Sequence, residues 1–269
     1  MRLGNLPKKI KAQLPLILLL TRQELVDRHK GSILGRLWTM LAPLINILVF
    51  VLIFSTIMGA RLEGFGVEVD QYTYSIYLIS GILAWTAFAK SISTITNLFI
   101  ERAWLITKVR LSLPLLPFSV LLAEGVIYAI GMLFFAVFLI LVAFPLTTWW
   151  LFLPLIFALQ LMFTYALGLV LAVLAVYLKD VREGVAVLLP VWFWLTPIVY
   201  VSDIIPASVL PWMQLNPLFQ IINAYRELVL YQRMPDLGGL AGVMLLSVIL
   251  LAIARWLILR TEKDLRDAL

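Results

Sequence analysis

The chain has 269 residues, 63% of them hydrophobic and 13% charged, and its mean hydropathy of +1.02 exceeds what a soluble domain can bury. A net charge of +6 would suit nucleic acid, but the basic residues lie between apolar runs and point to a membrane surface instead. With no cysteine and one histidine, His29 between Arg28 and Lys30, the sequence excludes disulfides, thiol catalysis and thiolate metal sites and leaves the histidine without catalytic or ligand partners.

Residues 1–36 are expected to be a cytoplasmic N-terminus with an amphipathic helix. Lys8, Lys9 and Lys11 precede the apolar run Leu14 to Leu20, yet Pro15 interrupts it and no small-residue cleavage site follows, so it does not read as a cleaved signal peptide. From Leu14 to Arg36, apolar Leu14, Ile17, Leu18, Leu25 and Ile33 are interleaved with Arg22, Glu24, Asp27, Arg28 and Lys30. This pattern predicts a helix on the membrane surface or, alternatively, a soluble helix packed on another domain.

Six apolar stretches follow, at about 37–60, 74–99, 113–144, 149–177, 184–200 and 237–259. Several reach the roughly 20 residues a helix needs to cross about 30 Å of hydrocarbon. No series of alternating ten-residue strands suggests a barrel. The expectation is one all-α integral membrane domain of six transmembrane helices, with a cytoplasmic tail at 260–269. Placing both termini inside assigns 17 basic residues to the cytoplasmic side, leaves Arg61, Arg226 and Arg233 outside, and puts Lys90 within the second span.

The stretch 203–236 is too long for a tight turn and contains Pro206, Pro211, Pro217 and Pro235, yet Leu218, Ile221, Ile222, Tyr225 and Leu228 are spaced helically. Asn216-Pro217 supplies a helix start, with an N-cap side chain followed by proline at the first helical position. The segment reads as a re-entrant or surface hairpin before the last span, or as a structured outer loop.

No phosphate-binding loop and no metal-ligand cluster is present, so the chain is not expected to be an enzyme or to bind a nucleotide or metal itself. Two charges inside spans, Lys90 and Glu124, fall at similar depth on consecutive helices and are expected to form an ion pair, with a proton relay as the alternative. Aromatic residues on the spans act either as interfacial anchors or as a lining for sugar rings. Trp192 and Trp194 diverge by about 200° on a helix, so at most one of them faces a pore. The segment Glu101 to Arg110 is a short polar helix suited to a partner's groove, or a solvated turn.

Several stretches, in order, carry a family likeness: Arg28-His29-Lys30-Gly31-Ser32-Ile33-Leu34-Gly35-Arg36-Leu37-Trp38, Leu41-Ala42-Pro43, Val176-Tyr177-Leu178-Lys179-Asp180-Val181-Arg182-Glu183, Trp194-Leu195-Thr196-Pro197-Ile198-Val199-Tyr200, Leu215-Asn216-Pro217 and Ala224-Tyr225-Arg226-Glu227. Over nearly its full length the chain resembles the permease subunits of type-2 ABC exporters for polysaccharide and polyol phosphate, most closely those for O-antigen. The resemblance implies a homodimer of six-helix subunits in the cell inner membrane. It also implies an N-terminal interface helix, short cytoplasmic coupling helices, and two re-entrant helices at the periplasmic exit of span five. Two copies of a separate ATPase would bind ATP and Mg²⁺, leaving this chain without a cofactor, and an undecaprenyl-linked glycan would pass between the subunits. By position, Arg22, Arg28, Glu101, Arg102, Trp104 and Lys108 would contact the ATPase, while Trp38, Tyr77, Trp85, Trp192, Trp194 and Tyr200 would line the glycan path. A teichoic acid or capsule exporter, or a type-2 ABC drug or lipid exporter, is the alternative reading.

Overall fold

The computed structural model describes residues 6–28, 30–53, 72–108, 112–201 and 205–268, and among them the chain is predominantly helical, without a strand. In hydrocarbon a backbone must satisfy its own polar groups, and the helix does so within one segment. The elements are α1 (Leu6–Asp27), α2 (Trp38–Val51), α3 (Thr73–Glu101), α4 (Ala103–Lys108), α5 (Pro117–Leu141), α6 (Leu153–Tyr177), α7 (Lys179–Trp194), α8 (Leu210–Gln214), α9 (Pro217–Val229) and α10 (Leu237–Ala268).

Four segments are long and apolar enough to cross a membrane: Thr73–Glu101, Leu113–Leu141, Thr148–Tyr177 and Leu237–Thr261. Helix α2 is apolar but has 14 residues, and the expected continuation of its span over 54–60 lies outside the described residues, as do His29 and Arg61. Helix α7 has 16 residues, a rise of about 24 Å at 1.5 Å per residue, which is short of a full crossing. It begins at Lys179 and stops at Trp194, where the sequence pattern had suggested one helix from 184 to 200. Pro197 explains the stop, because its ring disfavours helical backbone at Thr196 and it has no N–H to continue the ladder.

The bundle is organised around α3, which packs against α6, α5, α9, α7 and α2. In its most apolar window 61% of residues are buried, against 17% for the segment of α10, so α3 is a core helix and α10 a peripheral one. Close packing is set by small residues: a Cβ on Gly168 of α6 would sit 2.9 Å from the Ile95 side chain on α3. At the N-terminal end of α3 the core includes Ile76, Ile79, Ile221, Ile222 and Leu228. At its C-terminal end Leu20 of α1 joins Ile95, Phe99, Leu105 and Leu113, so α1 and α4 dock on the same end of the bundle.

Gln160, buried on α6, ties three elements together. Its Nε2 donates to the Ala84 carbonyl of α3 at 2.8 Å, and its Oε1 accepts from the Tyr225 hydroxyl of α9 at 3.0 Å. An amide left unpaired there would cost about 1–3 kcal/mol, so the pairing fixes the position of α9 against the spans.

Candidate functional site

The non-helical segment after α7 exposes a run of carbonyls that need donors. Side chains from distant elements supply them. Arg226 of α9 donates through Nη1 to the Pro197 carbonyl at 2.7 Å and through Nη2 to the Ile198 carbonyl at 2.9 Å. The hydroxyl of Tyr74 donates to the Val199 carbonyl, and that of Tyr77 lies 3.0 Å from the Tyr200 carbonyl and 3.4 Å from that of Pro197. Four consecutive carbonyls are therefore held from α3 and α9.

Arg226 is 1% exposed, and among the described residues no carboxylate lies within ion-pair distance of it. Its charge is offset by the two carbonyl dipoles and by the face of the Tyr77 ring, whose centroid is 3.5 Å from the guanidinium carbon. Burial pushes the guanidinium below its ordinary value, to about 10, against a smaller opposing influence of Tyr77, so it remains cationic at neutral pH. Gly81 makes the approach possible, because a Cβ there would come within 3.0 Å of Nη2.

Asn216 joins the same bend to the start of α9. Its Oδ1 accepts from the Leu218 backbone N–H and from Trp192 Nε1, both at 3.0 Å, while its Nδ2 donates to Thr196 Oγ1 at 2.8 Å. One side chain thus caps α9 and anchors the end of α7.

At the opposite end of α3, charges alternate between elements. Glu124 of α5 is 2% exposed and pairs with Arg28 at 2.5 Å. Arg28 lies 3.8 Å from Glu24, and Glu24 pairs with Arg102 at 3.3 Å. The chain Glu124–Arg28–Glu24–Arg102 therefore runs from the interior of α5, through the end of α1, to the corner between α3 and α4. The ion pair expected between Lys90 and Glu124 is not the one formed. Depth along two helices places them at one level, but α1 packs against α5 and Arg28, just past its end, brings a guanidinium directly onto the carboxylate. Lys90 instead lines, with Arg28, Trp38 and Glu124, a cavity of about 100 Å³.

Of the residues expected to couple to an ATPase, Arg22, Glu101, Trp104 and Lys108 are exposed, whereas Arg28 and Arg102 belong to the charge chain. Trp104 is 58% exposed on α4 while its neighbours Leu105 and Ile106 are buried, so the short helix is anchored from below and presents an indole outward. Among the residues expected along a glycan path, Tyr77 and Trp85 are buried within the subunit. Trp192 packs edge-on to Phe88, and Trp194 points away from it, exposed. The Tyr200 hydroxyl donates to the Trp194 carbonyl at 2.8 Å, and Trp38 Nε1 donates to Ser32 Oγ at 2.9 Å.

Sequence reasoning placed Arg226 in the outer charge count and in one of the stretches that carry the family likeness, and missed its role at the bend. The signal was present: Arg226 lies four residues after Ile222 and three before Val229, on the apolar face of α9.

A family model for the ABC-2 type transporter matches residues 15–230. The chain is 32% identical over 242 residues to the O-antigen export system permease protein RfbA of Myxococcus xanthus, a match covering 88% of each chain. It is 28% identical over 214 residues to the O-antigen export system permease protein RfbA of Klebsiella pneumoniae, covering 79% of each.

Proposed function

The chain belongs to the ABC-2 type transporter family, and from that premise we propose that it is the membrane subunit of an ATP-driven exporter of lipid-linked, O-antigen-like polysaccharide. Permeases of this family work with an ATPase partner. The observation that carries the substrate class is the match to O-antigen export permeases over most of both chains. On this reading two copies assemble with two ATPase subunits, which bind ATP and Mg²⁺, and an undecaprenyl-linked glycan crosses the inner membrane through a channel between the copies. On this reading α2 and the short α7 join the four long segments to make six crossings, both termini lie on one side, the cytoplasmic side by the distribution of Lys and Arg, and α8 and α9 form the re-entrant hairpin.

The charge chain supports a route for the motion. Closure of the ATPase against the exposed side of α4 pushes Arg102, and through Glu24 and Arg28 the load reaches Glu124 inside α5. A long hydrophilic polymer cannot cross hydrocarbon unaided, so a hydrated path between copies suits it better than an enclosed pocket. Capsule and teichoic acid polymers, and smaller drug or lipid substrates, are the competing cargoes. Deleting the gene in its host and following surface polysaccharide tests the reading. Loss of surface glycan with internal accumulation of its lipid-linked form is the expected result, and unchanged surface glycan would refute it.

A further inference from the structure

Helix α9 uses one face for the bend and the core, and its other face borders a second cavity. Gln220, Asn223 and Glu227, at spacings of three and four, form a single polar stripe beside the buried Ile221, Ile222, Tyr225 and Leu228. This stripe walls a cleft of about 390 Å³ that Gln214, Arg233 and Asp236 close from other sides, with Tyr77 and Phe219 among its apolar walls. Its size falls within the roughly 300–1,000 Å³ of ligand pockets.

The polar groups are held in place before any ligand arrives. Glu227 accepts from Arg233 Nη2 and from the Asp236 backbone N–H, each at 3.1 Å. The Asp236 carboxylate in turn accepts from the N–H groups of Gly238 at 2.9 Å and Gly239 at 3.1 Å, which caps α10. Gln220 donates to the Gln214 carbonyl at 2.6 Å. The Asn223 side chain makes no hydrogen bond among the described residues and is half-buried in the wall.

We propose that this cleft is a saccharide-binding subsite that holds a segment of the glycan as it emerges. The inference rests on the glycan-export reading and adds the place and chemistry of recognition. Planar amides and fixed carboxylates match the paired donors and acceptors of sugar hydroxyls. With Glu227 and Asp236 against Arg233, the cleft carries a formal charge of −1. It therefore favours neutral, hydroxyl-rich sugars and disfavours uronic acids or phosphate. The free amide of Asn223 is the group that a sugar hydroxyl would satisfy.

The test uses the complete complex with its ATPase in lipid nanodiscs. The probe is the host's own surface polysaccharide, freed of lipid by mild acid. Titration calorimetry should show binding to the unaltered complex, about tenfold weaker binding with Asn223→Ala, and none with Asn223→Trp, which fills the cleft. The melting temperature of the alanine variant should be unchanged, because Asn223 has no partner to lose. Equal binding by all three complexes, or none by the unaltered one, would overturn the subsite. Should the gene deletion still abolish surface glycan in that case, the export reading stands and only the subsite falls. Surface glycan that survives deletion removes both.

Discussion

The guanidinium of Arg226 stacks 3.5 Å above the ring of Tyr77, and these two side chains together hold the carbonyls of Pro197, Ile198 and Tyr200. A cation from α9 and an aromatic from α3 thus fix a bend that belongs to neither helix. Replacing Arg226 by lysine keeps the charge but loses the planar fork and the stacking. Arg226→Lys should destabilise the purified protein by about 1–3 kcal/mol, read as a lower unfolding temperature in detergent. Tyr77→Phe, which keeps the ring, should cost about 1 kcal/mol. No loss from Arg226→Lys would mean that the planar fork and its stacking on Tyr77 contribute nothing a lysine cannot supply.

Glu124 is buried against Arg28, and Lys90 only shares its cavity. Glu124→Gln leaves Arg28 with only the more distant Glu24 carboxylate and should cost about 2–3 kcal/mol, less than a fully buried pair because Arg28 is partly exposed. A double-mutant cycle should give a coupling energy for Glu124 with Arg28 and almost none for Glu124 with Lys90. The reverse pattern would restore the pairing that helix depth alone suggested.

Trp104 is exposed and makes little contact within the subunit, so Trp104→Ala should shift stability by no more than about 0.5 kcal/mol. Its effect should appear in the assembly. Copurification of the ATPase, or the stimulation of its turnover by the permease, should fall several-fold. Unchanged coupling would place the ATPase contact elsewhere on the subunit.

Because the chain has no cysteine, a single introduced thiol is a clean topological reporter. Trp104→Cys on α4 and Met234→Cys between α9 and α10 lie at opposite ends of the bundle and are both exposed. An impermeant maleimide should label the first from the cytoplasmic side and the second from the outside. Labelling of both from one face would break the proposed threading.

Much of the helical framework is legible in the chain because lipid demands long apolar segments and because Asn216-Pro217 marks a start by local chemistry, whereas the apolar run hid the stop at Pro197. The partners of those segments are not legible. Tyr77 meets the Tyr200 carbonyl across 123 positions, and Arg28 meets Glu124 across 96, so neither pairing leaves a short-range pattern. Counting along helices gives depth but not the angle around the axis, which is why Lys90 and Glu124 shared a level without forming a pair. The burial of Arg226 could have been read from its place on the apolar face of α9, had its charge not suggested solvent.

The most direct test of the account follows lipid-linked glycan across a membrane. The permease and its ATPase, reconstituted into liposomes loaded with the host's lipid-linked polysaccharide in the leaflet facing the ATPase, should deliver glycan to the other leaflet on addition of ATP and Mg²⁺. Lectin accessibility on that far face should rise with ATP and stay at background with ADP or with a hydrolysis-deficient ATPase. Equal transfer under all three conditions, or none with ATP in a complex that hydrolyses it, would contradict ATP-driven glycan export by this protein.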